Sequence, residues 1–207
     1  MVTGLLIRDA GLFDQLIQER KRKGIDLYDE VWEGMYVMPS MPNNAHQKLL
    51  DNLGDILTEV VKRGKMGDKY QGANVSDRRK GWEYNYRVPD MVVVLNNSRA
   101  IDCDTHFCGG PDFLVEIQSP GDDTEEKVPF YGQIGVRELL IIHRDKRTLR
   151  LLRLEGEELV LVKPSPLEGK EWLVSAVLPL AFRRLVSRGT PRTQVRRTDA
   201  KPGLWAV

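Results

Sequence analysis

Cysteine is nearly absent from this chain. The two present, Cys103 and Cys108, have four residues between them. That pattern excludes a secreted disulfide scaffold. Long apolar runs are missing too. The longest, such as 91–95 and 139–142, are far too short to cross a membrane. The start, MVTGLLIRDAGLFDQ, carries an apolar patch, but Arg8 and Asp9 interrupt it. Without a basic leader or a small-residue cleavage pattern it does not read as a signal segment, so a cytoplasmic protein is expected. Neither sign of charge is in excess: 31 basic and 30 acidic residues leave a net charge of +1. Such a balance selects no partner, because a basic groove and acidic ligands cancel in the total. No Gly-rich phosphate loop follows a strand-like run, which argues against a nucleotide cofactor. No G-x-S-x-G elbow is present, which argues against a serine hydrolase.

What is there suits one well-cored domain. The chain has 207 residues, 41% hydrophobic and 29% charged, with little length left for a second domain. Residues 9–23 place Leu12, Phe13, Leu16 and Ile17 at helical spacing before Gly24. Residues 29–38 read as a strand or a hairpin turning near Gly34. Residues 44–63 carry Leu49, Leu50, Leu53, Ile56, Leu57, Val60 and Val61, a long amphipathic helix that Gly64 stops. Weak strand character follows at 65–76 and 82–88, and strong strand character at 88–95. Residues 96–110 read as a loop, 113–118 as a strand and 124–134 as a helix. Three short strands over 137–143, 147–154 and 157–163 have hairpin-like connections. A last strand with a short helix covers 171–187. The polar, Arg-bearing end, 188–207, reads as a flexible basic tail. Alternation of helices and strands predicts an α/β domain with a mixed central sheet.

One stretch, PDFLVEIQSPGDDTEEK at 111–127, carries the chemistry. Its strand is apolar except for Glu116 and Gln118. Alternate strand residues share a face, so Asp112, Leu114, Glu116 and Gln118 point one way. Burying an unpaired carboxylate is costly. The other strong strand, in RVPDMVVVL, carries Asp90 near its start. If the two strands are neighbours, Asp90 and Glu116 reach one point. Two carboxylates and a backbone carbonyl, such as that of Ile117, suit a hard cation such as Mg²⁺. Lys127, beyond the turn at 119–123, could orient water or stabilise a phosphate's charge. A buried salt bridge from Glu116 to Arg87 or Lys127 is the plainer alternative.

VPDMVVV, PDFLVEIQSP and then K-x-x-x-Y-x-x-x-G-V-x-E resemble the Uma-type restriction endonuclease family of the PD-(D/E)XK nuclease superfamily. Glu116, Ser119, Pro120, Lys127, Tyr131, Gly135, Val136 and Glu138 fall at matching spacing. Upstream, Glu30, Gly34, Met38, His46 and Gln47 match a second segment, so the resemblance covers about residues 25–185. It implies a restriction-endonuclease-like core, a mixed sheet flanked by helices, over residues 1–187. It further implies cleavage of nucleic acid, DNA before RNA, dependent on Mg²⁺ or Mn²⁺ held at Asp90 and Glu116. Glu30 and His46 become accessory candidates. In the superfamily the catalytic lysine sits two residues after the glutamate, and here that place holds Gln118. Either Lys127 takes the role from the following helix, or Gln118 replaces the lysine and leaves a slow or inactive site. A silent nuclease-fold module for binding or assembly is therefore the competing class, and a homodimer would suit cutting of two strands.

Two other clusters bear weighing. Cys103, His106 and Cys108 fit no standard zinc spacing; a polar loop at the lip of the site is the better reading. DRRKGWEYNYR at 77–87 mixes arginines with aromatics. Packing on one face explains Trp82, Tyr84 and Tyr86, while Arg78, Arg79 and Arg87 stay open as nucleic-acid contacts.

Overall fold

The computed structural model describes residues 10–39, 41–167 and 169–207. The apolar start, 1–9, lies outside the described residues. Three helices form where the apolar spacing predicts them: α1 (Ala10–Lys23), α2 (Asn44–Leu57) and α3 (Thr124–Gln133). The Asn43 side chain accepts from the His46 N–H, so α2 starts on a polar cap. A π-turn, Thr58–Lys62, extends it and buries Val60 and Val61. Helix α1 lies largely exposed, with Leu12 56% accessible. The Arg20–Asp29 ion pair ties it to the next hairpin.

Six strands make the central sheet, in the order Glu158–Leu161, Leu149–Glu155, Glu138–His143, Phe113–Gln118, Met91–Leu95 and Gly67–Gln71. Phe113–Gln118 and Glu138–His143 run parallel, joined through α3; the other neighbours are antiparallel. This mixed sheet has the α/β character expected from the sequence. Period-two alternation sorts its residues between two cores. Phe113, Val115 and Ile117 share one with the apolar stripe of α2. Leu114, Leu139 and Ile141 share the other with Phe130 and Tyr131 of α3. Each large aliphatic side chain buried this way contributes roughly 1.5–3 kcal/mol.

A second sheet of short strands lies at the edge of the second core: Met35–Val37, Glu30–Trp32, Tyr86–Arg87, Val75–Ser76, Phe107–Cys108 and Ile101–Asp102. The expected loop at 96–110 thus contains two strand pieces. Residues Trp82–Tyr84 form a 3-10 turn, which breaks the expected alternation. Trp82 stacks on His106 at 4.8 Å, while Tyr84 is exposed. Gly110 has no room for a side chain, because a Cβ there would lie 2.1 Å from the Gly135 carbonyl carbon.

The end of the chain corrects the expectation of a flexible tail. A third sheet contains Ser165–Leu167, Lys170–Val174, Leu180–Ser187, Thr190–Arg197 and Leu204–Ala206. Thr190–Arg197 pairs along its whole length with Leu180–Ser187. Its buried Val195 joins the first core beside Phe182. Arg192 and Arg196 sit at alternate positions, facing away from that core, while Arg197 shares the face of Val195, is buried and is paired with Asp199.

Candidate active site

The antiparallel register pairs Met91 with Val115. One residue further along, Asp90 stands opposite Glu116. The Ile117 N–H donates to Asp90 Oδ2 at 2.6 Å. On the other side of the strand, the Gln118 carbonyl accepts from Arg144 N–H at 2.9 Å. A strand residue's N–H and C=O point to the same side, so the Ile117 carbonyl faces the Asp90 edge. His46, in the first turn of α2, brings Nε2 to 3.2 Å from Asp90 Oδ1. Its Nδ1 is buried without a partner.

Glu116 points from the sheet toward α3, as Leu114's alternation requires. A turn built on Asp122 sets the helix there. Asp122 accepts from Ser119 N–H and from both N–H and hydroxyl of Thr124. Gly121, at φ +82°, supplies the left-handed backbone. Lys127 and Tyr131 are four residues apart and therefore share one helix face. The Tyr131 hydroxyl donates to Glu116 Oε1 at 2.6 Å, and Lys127 Nζ lies 3.3 Å from the same oxygen.

Glu30 completes the cluster from Glu30–Trp32. Its Oε1 is 2.8 Å from Lys127 Nζ and also accepts from the Val88 N–H. Its Oε2 accepts from Trp32 Nε1 at 2.6 Å. Glu30 and Trp32 share a strand face, and that i, i+2 spacing was the available signal for Trp32. Tyr131 fell within the family motif without an assigned role. The structure gives it one as Glu116's hydrogen-bond partner.

The electrostatics are strained by design of the cluster: Glu30, Asp90 and Glu116 share Lys127. Burial, with Asp90 and Glu30 nearby, raises Glu116 from 4.5 to about 8, against the opposing pull of Lys127 and the Tyr131 bond. Burial alone would pull Lys127 down, but the carboxylates of Glu116 and Glu30 outweigh it and hold it well above the ordinary lysine value. Burial and the same two acids raise Tyr131, which stays a phenol and a donor. The contact of the plainer alternative, Lys127 Nζ against Glu116, is present at 3.3 Å, while burial keeps a proton on that carboxyl at neutral pH. Once Glu116 ionises, the carboxylates of Glu30, Asp90 and Glu116 outnumber the one lysine, an excess that a cation would balance.

Among the described residues, no three His, Cys, Asp or Glu side chains are gathered closely enough to hold a metal ion. A site on Asp90, Glu116 and the Ile117 carbonyl would use two side chains, with water filling the remaining positions, as Mg²⁺ commonly accepts. Both side-chain contacts to Glu116 fall on Oε1. The donor set is hard oxygen, and the excess of buried carboxylate charge fits a divalent ion.

Residues 13–187 match the sequence model described as "Uma2: Putative restriction endonuclease". The chain belongs to the Uma2 family. Among curated proteins, none matches it. The Uma2 chain is similar in fold to a crystal structure from Anabaena variabilis described as a "putative nuclease belonging to DUF820". That likeness has a TM-score of 0.53 at 18% identity, covering 67% of this chain and 80% of the other. The core of this Uma2 protein is restriction-endonuclease-like, a mixed sheet flanked by helices.

Other sequence candidates lie elsewhere. Gln118 Nε2 donates to Glu125 Oε1 at 3.2 Å, turned toward the start of α3 rather than the acids. Arg87 is no surface contact. It is 5% exposed, and its guanidinium lies between the rings of Trp32 and Phe130, 4.7 and 4.2 Å from their centroids. There it also donates to the Val31 and Tyr86 carbonyls, so it cannot reach a phosphate outside. Arg78 is exposed and paired with Asp77, and Arg79 is exposed. His106 spends both ring nitrogens inside the protein, on Thr105 Oγ1 and the Arg78 carbonyl. Among the described residues no helix is long and apolar enough to cross a membrane.

Proposed function

We propose that this Uma2 protein is a divalent-metal-dependent endonuclease that hydrolyses phosphodiester bonds of nucleic acid, DNA in preference to RNA. The observation that carries the reading is Lys127. Delivered from a helix, it lies within 3.3 Å of Glu116 and 2.8 Å of Glu30, on the strand edge where Asp90 stands. The family description supports DNA as the first substrate.

In this reading Asp90 and Glu116, with the Ile117 carbonyl, hold Mg²⁺ or Mn²⁺. The bound cation would lower the pKa of its water and polarise a phosphoryl oxygen. Lys127 provides a fixed positive charge for the scissile phosphate or the attacking water. Glu30 is a positioning residue, anchored by the Val88 N–H and Trp32 Nε1 and holding the lysine head in turn. Tyr131 fixes the rotamer of Glu116, and His46 fixes that of Asp90. Cutting both strands of a duplex calls for two such centres, so the proposal extends to a homodimer on duplex DNA.

A second reading is a catalytically silent nuclease-fold module. It is favoured by Gln118, which occupies the superfamily's lysine position and bonds Glu125 instead. The test is cleavage of supercoiled plasmid and of RNA with Mg²⁺ or Mn²⁺, alongside Mn²⁺ titration. The endonuclease reading expects nicking that chelator, Asp90→Asn or Lys127→Ala abolishes. Mn²⁺ binding without cleavage of either substrate would favour the silent module. Unchanged Mn²⁺ binding in Asp90→Asn would remove the metal assignment.

A further inference from the structure

The third sheet carries a feature that the acidic cluster does not use. Leu173, Phe182 and Val195 point into the first core. Their strand neighbours Trp172, Arg183, Gln194 and Arg196 lie on the opposite face. There they line a cleft of about 340 Å³. Five basic side chains contribute to its walls, from Lys170, Arg183, Arg196, Arg197 and Lys201, against the one acid Asp199. Much of this wall lies beyond residues 13–187, the part matching the family.

Trp172 is the unusual member. It is 3% exposed although it belongs to the outer face, because the arginines roof it over. The Arg183 guanidinium stands 4.7 Å from the ring centroid and that of Arg196 stands 5.7 Å away. The indole Nε1, a donor, is buried with no partner. A buried donor left unsatisfied is costly, so an acceptor brought to it is favoured. Arg183 bonds the neutral amide oxygen of Gln194 at 2.7 Å. Asp199 is committed to Arg197, through two bonds of 2.8 and 2.6 Å.

We infer that this cleft binds a phosphate group, bridged by Arg183, Lys201 and the Trp172 Nε1–H. The chemistry selects the anion. The indole face is occupied by arginine, so it cannot stack a base; what the cleft offers is N–H donors and positive charge. A phosphate oxygen accepts from all of these. The phosphate can come from a nucleic-acid strand or be free in solution. The site shares no residue with Asp90, Glu116 or Lys127, and its failure would leave the endonuclease reading untouched.

The test uses the full chain in excess chelator, which prevents metal-dependent cleavage. The probes are a fluorescent DNA duplex, followed by anisotropy at several salt concentrations, and inorganic phosphate, followed by calorimetry. Arg183→Gln with Lys201→Gln should weaken DNA binding about tenfold and lower the salt slope by about one to two charges. Trp172→Phe keeps the ring, removes the donor and should weaken binding several-fold. Lys21→Glu on α1 serves as a control for net charge, and thermal melts report folding. Loss of DNA affinity in the cleft variants alone supports a strand phosphate. Loss of inorganic phosphate binding with unchanged DNA binding supports a free phosphate. If the cleft variants bind both probes like the parent, or lose no more than Lys21→Glu does, the inference is overturned. Should Trp172→Phe melt early, the exposed Lys170→Glu and Lys201→Glu substitutions decide.

Discussion

In buffer free of divalent ions, the protein should lose stability as pH climbs, and Glu116 should account for the loss. The folded-state carboxyl sits at about 8, against an ordinary value of 4.5. Between those values the folded state keeps a proton that the unfolded chain has released. Stability therefore falls with rising pH across that window. The stabilising contribution is complete below the ordinary value and is lost as pH passes through the raised one. At roughly 1.4 kcal/mol per unit of pKa, the gap caps the loss at about 5 kcal/mol. That is a large share of a domain's usual stability of about 5–15 kcal/mol. Urea midpoints measured at steps from about pH 5 to about pH 9 would read it. Glu116→Gln cannot ionise, so its midpoints should follow a shallower line. Mn²⁺ should restore the parent protein at the alkaline end, with affinity rising about tenfold per pH unit as one proton is displaced. Parallel slopes for the parent and Glu116→Gln in chelator would refute the reasoning.

Tyr131→Phe removes the hydroxyl whose hydrogen bond favours the ionised form of Glu116 and tempers the rise that burial causes. Its Mn²⁺-binding profile should shift to higher pH at a stability cost of about 1–2 kcal/mol, read by calorimetry and urea melts. Lys127→Met leaves Glu30 and Glu116 without their shared cation. It should destabilise the metal-free protein by about 3–5 kcal/mol, and divalent ions should recover part of this. Trp32→Phe deletes one of the three donors to Glu30 and should cost about 1–3 kcal/mol. It should also lower cleavage rate more than Mn²⁺ affinity. Removing the residues after Ser187 strips Val195 and a whole paired strand from the first core, so the shortened protein should aggregate or lose its cooperative melt.

Much of this was legible because the main elements obey simple periods. The α2 stripe and the alternation through 113–118 placed Leu114 and Glu116 on the face that meets α3. The spacing of Lys127 and Tyr131 put both on one helix turn. Other features were hidden where a residue type acts against its usual habit. Arg87 reads as a surface charge, yet two aromatic rings and backbone carbonyls hold it inside. Thr190–Arg197 reads as a tail because one side chain in two faces outward, and those outward positions are polar or basic. Its inward side is carried chiefly by Val195 and the buried Thr193. Trp172 gave no signal at all, since its burial depends on arginines from two later strands.

The delivery of Lys127 by a helix has its own consequence. A lysine two residues after Glu116 would be locked to the pitch of the sheet, and any adjustment would break hydrogen bonds on both sides. A lysine on α3 is carried by the five-residue bend ahead of the helix, whose shape rests on Asp122 and Gly121. Reshaping that bend would advance or retract the ammonium by fractions of an ångström and leave every strand in place. The working distance and the architecture thus become separate adjustments. On the proposed reading, substitutions at Asp122 or Gly121 would retune reactivity at a local cost, the bend's own hydrogen bonds or backbone ease, with the bonds of the central sheet left intact.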